Sequence, residues 1–276
     1  MSIISVIIIA ILQGVTELFP VSSLGHAVIL PEILDLKINQ QASEFLPFLV
    51  VLHLGTAVSL LLYFWRDWLG ILFGLFCKKP ELRSKSIRIL ILMIIATFPA
   101  AILGYLFEHK LKDLFGIPII AAAFLFLNGF LLFFSERLRY RCNHKKNLSN
   151  LSWKGALMIG FWQCTAFFPG ISRSGATMIG GLLSGLSYRA SAHFSFLIAT
   201  PIILGAAILE IPKLLQKSAI SEMLFISVIG GIIASITSFI SIYFLMHYFH
   251  KHNFEAFTPF AFYCWIAGGG ALLFLI

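Results

Sequence analysis

The chain has 276 residues, of which 59% are apolar and 12% are charged, where an ordinary soluble domain carries about 25% charged residues. Too few polar residues remain to cover a soluble molecule of this size, which excludes a cytosolic globular enzyme, a disordered chain and a secreted disulfide scaffold. Twenty Lys and Arg against 12 Asp and Glu give +8. Beside long apolar runs, that excess is read as span-end anchors against anionic lipid head groups rather than as a nucleic-acid surface.

Twenty-eight Phe suit helices that are apolar on every face and lie in lipid. Residues 3–34 are apolar but interrupted by Gln13, Glu17, Pro20, Ser22, Ser23, Gly25 and His26. Without a basic leader segment, and with Gln13 and Glu17 inside the run, this stretch is not read as a secretory signal. A hydrocarbon core of about 30 Å needs about 20 apolar helical residues. Three stretches of that length follow: Phe45–Trp65, Ile87–Phe107 and Leu114–Phe134. Residues 153–187 are broken in turn by Gln163, Pro169, Gly170, Ser172, Arg173 and Ser174, and three more spans close the chain at Ser191–Ile211, Met223–His247 and Ala256–Ile276. Each broken region is expected to be two half-helices joined by a polar turn, a re-entrant hairpin. Irregular backbone at membrane depth survives only where protein or a water-filled cavity surrounds it.

Charge sets the expected sidedness. The 66–88 and 135–154 segments carry six Lys or Arg each, whereas in 108–113 Lys110 and Lys112 are offset by Glu108 and Asp113. The positive-inside rule puts both basic segments in the cytoplasm and 108–113 outside. Each half then has one hairpin and three spans, so the second half is inverted. A register of 150 residues matches Gln13 with Gln163, Ser22 with Ser172 and Gly25 with Gly175, and sets Ser23 against Arg173. The expected fold is an all-α polytopic membrane protein with six full spans and two re-entrant hairpins. Its repeats cover about 1–134 (hairpin 3–34) and 153–276 (hairpin 153–187), around a cytoplasmic loop at 135–152. The cysteines Cys77, Cys142, Cys164 and Cys264 show no metal or disulfide spacing.

Ionisable groups at membrane depth cost about 2.5–3.5 kcal/mol each at a helix centre and are functional candidates by default. Gln13 and Glu17 stand four apart, on one helix face, and the turn after them supplies Ser22, Ser23 and His26. Glu17 has a competing structural role as a cap on a neighbouring half-helix. In the second turn, Ser172 or Ser174 can cap the following half-helix, and Thr177 sits one turn past Ser174. The helix N-terminus there offers backbone N–H groups, and Arg173 adds a five-donor fork suited to phosphate oxygens. Arg173 has its own structural alternative, a strut to Glu17.

The segment Gln13-Gly14-Val15-Thr16-Glu17-Leu18-Phe19-Pro20-Val21-Ser22-Ser23-Leu24-Gly25-His26 is similar to the first signature of the undecaprenyl-diphosphate phosphatases, the bacitracin-resistance lipid phosphatases of bacteria. Pro169 to Thr177 resembles their second signature, Pro-Gly-x-Ser-Arg-Ser-x-x-Thr. The resemblance extends to His53-Leu54-Gly55-Thr56, Phe64-Trp65-Arg66 and Phe194-Ser195-Phe196-Leu197, and so to essentially the whole chain. It implies hydrolysis of undecaprenyl diphosphate to undecaprenyl phosphate and inorganic phosphate in the bacterial inner membrane. That reaction recycles the carrier lipid for peptidoglycan, and bacitracin would bear on it through the shared lipid substrate.

By the same resemblance, Glu17, Ser23, His26 and Arg173 are the catalytic positions, and Gln13, Ser22, Ser172, Ser174 and Thr177 bind substrate. Glu17 is also the candidate ligand for a divalent cation, Mg²⁺ or Ca²⁺. Two positions bear on the family pattern: the first position of its Glu/Gln-x-x-x-Glu motif is Gln13 here, which weakens a site built on two carboxylates and a metal, and His193 stands where an acidic residue is usual. The nucleophile is water or Ser23 and the base Glu17 or His26; Ser23 with His26 fits best, since imidazole titrates nearest neutrality. The rival reading is an inverted-repeat transporter or flippase of polyprenyl phosphate. Oligomeric state, a homodimer included, is left open.

Overall fold

The computed structural model describes residues 3–36, 45–107, 111, 114, 116–139, 147–215, 220–252 and 255–276. Within them every regular element is a helix. The chain opens with α1 (Ile3–Thr16) and α2 (Ser23–Ile33), followed by α3 (Phe45–Tyr63), α4 (Trp65–Phe76), α5 (Pro80–Leu106) and α6 (Pro118–Arg139). It continues with α7 (Trp153–Cys164), α8 (Arg173–Leu183), α9 (Tyr188–Leu215), α10 (Ile220–Lys251) and α11 (Thr258–Leu275).

Among the described residues five helices are long and apolar enough to cross a bilayer: α5, α6, α9, α10 and α11. The pair α3 and α4, bent by 71° at Phe64, makes a sixth if counted as one span. Their outer faces are apolar and exposed, as at Ile94 and Phe98 on α5, Ile232 and Ile236 on α10, and Ile266 and Leu273 on α11. Water would penalise such a surface; acyl chains do not. The chain is a multi-pass membrane protein.

The two interrupted regions fold as expected into short helices. At 1.5 Å per residue, α1 and α2 are about 21 and 16 Å long, and α7 and α8 about 18 and 16 Å, too short to span. Each pair packs on itself. α1 also packs against α10 and α7 against α5, while α6 lies against α11 and α3 against α9.

One expectation fails. Residues 66–88 do not form a loop: α4 occupies Trp65–Phe76, and α5 begins at Pro80, where a proline at the first helical position costs no hydrogen bond. α4 turns along the bundle because Gly74 lets Ser86 of α5 approach closely and Ser86 Oγ donates to Gly70 O at 3.3 Å. Arg88 of α5 donates to Ser149 O (2.5 Å) and Leu151 O (2.9 Å), so the two basic segments lie at the same end of the bundle. Glu108, Lys110, Lys112, Asp113, Arg141, Cys142, Lys145 and Lys146, used in the sequence argument, lie outside the described residues.

Candidate active site

Glu17 is the first residue past α1, and its backbone N–H still bonds Gln13 O at 3.0 Å, so its side chain projects from the helix end into the protein. It is 7% exposed, and four elements converge on its carboxylate. Oε2 accepts from Gln13 Nε2 (3.1 Å) and from Ser23 Oγ at the start of α2 (2.5 Å). His53 Nε2 of α3 lies 3.2 Å from the same oxygen. Oε1 accepts from Arg173 Nη2 of α8 at 2.9 Å. Sharing one carboxylate among an arginine, a histidine and a hydroxyl offsets the cost of burying it.

His53 is the group that the sequence reading left without a role. Its Nδ1 donates to Leu49 O at 2.8 Å, which leaves Nε2 turned toward the Glu17 carboxyl. The His53-Leu54-Gly55-Thr56 motif carried the signal; nothing local shows that this ring faces a carboxylate 36 residues earlier.

The two turns are built alike. Ser22 accepts from Gly25 N at 3.2 Å as the N-cap of α2, and Ser172 accepts from Gly175 N at 3.1 Å as the N-cap of α8. Ser22 holds φ at +66°, an uncommon conformation for a residue with a side chain and one that clusters at functional sites. Gly170 has φ +104°, and a Cβ there would lie 2.2 Å from Ala121 O of α6, so only glycine fits. Asn128 of α6 joins the turns: its Nδ2 donates to Pro20 O (2.9 Å), and its Oδ1 accepts from Ser172 N (3.2 Å). A lone amide in the apolar run of α6 was its only sequence signal.

A cleft of about 230 Å³ opens at this junction, with Glu17, Ser22, Ser23, His53, Ser172 and Arg173 among its lining residues. That volume takes a phosphate-sized head group but not a prenyl chain. The other predicted residues sit differently. Ser174 Oγ donates to Phe19 O (3.0 Å), and Thr177 Oγ1 bonds Ser195 Oγ (2.6 Å) and Arg173 O (2.9 Å), which fixes the start of α8. His26 Nδ1 donates to Ser22 O (2.6 Å), and its Nε2 accepts from Tyr263 OH of α11 (2.7 Å), with the two rings stacked at 5.6 Å. Both ring nitrogens are thereby engaged away from Ser23, whose proton points at Glu17. His193, which stands where the family usually has an acidic residue, stacks on Phe64 at 4.9 Å and lies 3.3 Å from Asp67 Oδ1, tying α4 to α9.

Arg173 Nη1 is buried and has no hydrogen-bond partner, and neither has Gln13 Oε1. A buried donor left unpaired costs free energy that an incoming anion would recover. The cation expectation can be examined on the same atoms. Among the described residues no three His, Cys, Asp or Glu gather into a metal cage. Both oxygens of Glu17 are already bonded, Oε1 to Arg173 and Oε2 to Gln13 and Ser23, and Gln13 does not line the cleft, so these two residues do not by themselves fit a divalent cation.

Residues 6–270 match the family model described as bacitracin resistance protein BacA. The chain is 51% identical to an undecaprenyl-diphosphatase of Granulibacter bethesdensis over 287 residues, covering all of this chain and 97% of the relative. It is 47% identical to one of Gluconacetobacter diazotrophicus (100% and 98% covered) and 45% identical to one of Gluconobacter oxydans (100% of both). A match over nearly the full length, with both signature turns meeting at one buried carboxylate, means that the chain belongs to the BacA bacitracin-resistance family.

Proposed function

We propose that this chain is an undecaprenyl-diphosphate phosphatase, which hydrolyses the lipid diphosphate to undecaprenyl phosphate and inorganic phosphate. The observation that carries the reading is the Glu17 carboxylate, shared between a serine hydroxyl on one turn and an arginine on the other. Binding alone requires no base; a hydroxyl bonded at 2.5 Å to a buried carboxylate is placed to lose its proton.

In this scheme the Arg173 guanidinium and the N-terminal amides of α8 bind the terminal phosphoryl group. Phosphoryl transfer is mostly positioning and neutralisation of charge on the equatorial oxygens. Ser23 Oγ gives its proton to Glu17 and forms a bond to the terminal phosphorus. The bond from that phosphorus to the bridging oxygen breaks, and undecaprenyl phosphate leaves with the electron pair. Glu17 passes that proton to the departing lipid phosphate; ionised again, it takes a proton from the water that attacks the phosphoserine and returns it to Ser23 Oγ as inorganic phosphate leaves. The short Ser23–Glu17 bond favours Glu17 over His26 as base. His53 and Gln13 orient the carboxylate.

The finer architecture is part of the same proposal. The paired caps at Ser22 and Ser172, and the matching packing of α1 on α10 and α7 on α5, support two inverted repeats with re-entrant hairpins. The shared end of the basic segments supports a cytoplasmic position for both, in the bacterial inner membrane. There the reaction would return carrier lipid to peptidoglycan synthesis and lessen the effect of bacitracin on the diphosphate pool. Purified protein should release inorganic phosphate from undecaprenyl diphosphate. Movement of the lipid between leaflets with no phosphate released would overturn the reading in favour of a flippase.

A further inference from the structure

A second cavity, of about 490 Å³, adjoins the cleft and shares Ala166, Arg173, Ile202 and Ala206 with it. It lies between α5, α7 and α9, and its mouth is at exposed positions on the apolar outside of the bundle, Ala101 of α5 and Pro201 and Gly205 of α9. Three side chains in its wall carry buried polar atoms with no hydrogen-bond partner: Thr97 Oγ1, both amide atoms of Gln163, and Arg173 Nη1. Gln163 is only 2% exposed. Native proteins seldom leave so many buried polar atoms unpaired on one cavity, and each such group invites an explanation.

The set has a definite chemistry. A guanidinium N–H, an amide NH₂ and a hydroxyl are donors, and the amide oxygen can accept from a singly protonated phosphate. In the 150-residue register Gln163 corresponds to Gln13, but the position of Glu17 is taken by Phe167, another lining residue. This cavity thus shares Arg173 with the first, adds Thr97 and Gln163, and has no carboxylate in its wall, so it can hold an anion without activating a nucleophile. Apart from Tyr105, the rest of its wall is apolar, including Ala100, Phe167 and Ile202.

We infer that Thr97, Gln163 and Arg173 Nη1 form a second subsite, which binds the phosphate that stays on the lipid, with the first prenyl units leaving between α5 and α9. The inference rests on the phosphatase reading and adds to it: the two phosphates are held on opposite sides of Arg173. Thr97 and Gln163 are binding residues for the retained phosphate and do not touch the phosphorus that is attacked.

The test is thermal-shift titration of the purified full-length chain with undecaprenyl phosphate and, separately, with inorganic phosphate. Wild type, Gln163→Leu and Thr97→Val are compared, and a ligand specific for the native state raises Tm. Because each variant replaces an unpaired polar atom with an apolar group of similar shape, Tm without ligand should not fall. The titration midpoint for undecaprenyl phosphate should rise about tenfold or more in each variant, the effect of one lost charge-assisted hydrogen bond. The midpoint for inorganic phosphate, bound on the Ser172 side, should stay at its wild-type value. If Gln163→Leu fails to fold, Thr97→Val carries the same comparison. An unchanged midpoint for undecaprenyl phosphate in a folded variant would overturn the subsite, and so would equal weakening of both ligands. Hydrolysis of undecaprenyl diphosphate by the wild-type preparation is followed in parallel; its absence would count against the phosphatase reading, while the lipid-phosphate titration still reports on the subsite.

Discussion

Gly25 and Gly170 meet backbone to backbone between the two polar turns: a Cβ on Gly25 would lie 2.9 Å from Gly170 Cα. The 150-residue register turns this pair into Gly175 and Pro20, and a Cβ on Gly175 would indeed lie 3.2 Å from Pro20 Cβ. The turns therefore approach each other through two corresponding contacts, and that approach brings Ser23 and Arg173 to opposite oxygens of Glu17.

Gly170→Ala should be severely destabilising. It combines φ +104° with a Cβ 2.2 Å from Ala121 O, and strain of that kind alone costs about 1–3 kcal/mol. Melting of the purified variant checks this; a Tm equal to wild type would mean that the turns are not packed as described.

Glu17→Gln keeps shape and one hydrogen-bonding oxygen but removes the charge. Turnover should fall by about 10²–10⁴, the usual contribution of a general base, with protein still inserted in the membrane. Some stability should be lost as well, because Arg173 then lacks its buried partner. Near-normal phosphate release from Glu17→Gln would reduce Glu17 to a structural cap.

Tyr263→Phe separates two roles for His26. With Nε2 occupied by Tyr263 OH, His26 acts as a latch between α2 and α11. Removing the hydroxyl leaves a buried ring nitrogen unpaired, so Tm should drop by a few degrees while folded protein turns over normally. Lost turnover at unchanged Tm would instead put His26 and Tyr263 in a proton path to the substrate.

The broken regions were legible because Glu17, Pro20, Pro169 and Gly170 each forbid an apolar helix from continuing in lipid. That a serine caps α8 was legible, but the choice between Ser172 and Ser174 was settled only by the Gly175 N–H bond to Ser172. What escaped was tertiary. His53 and Asn128 are single polar residues in apolar runs, and their partners are set by how helices cross. His26 is near Ser23 in sequence, yet its ring turns to Tyr263, 237 residues on. α4 was hidden because Arg66 and Asp67 make the start of an apolar helix resemble a charged loop, and because length alone says nothing about a bend.

Sidedness can be checked by labelling. A cysteine at Leu148, next to the Ser149 and Leu151 carbonyls that bind Arg88, should resist a membrane-impermeant thiol reagent on intact cells, whereas one at Leu111 should react. The opposite pattern would reverse the orientation.

The central claim is that Arg173 serves the substrate and is not merely a strut to Glu17. Its most direct measurement is Tm and specific phosphate release on the same preparations of wild type, Arg173→Lys and Arg173→Ala. Lysine keeps the charge but cannot hold Glu17 with one nitrogen while presenting another to a phosphate. Losing one aligned transition-state donor costs about 10²–10³ in kcat, so Arg173→Lys should fall by that much and Arg173→Ala further, with folded protein recovered for both. Folded Arg173→Ala protein with a lowered Tm and wild-type specific activity would contradict the account.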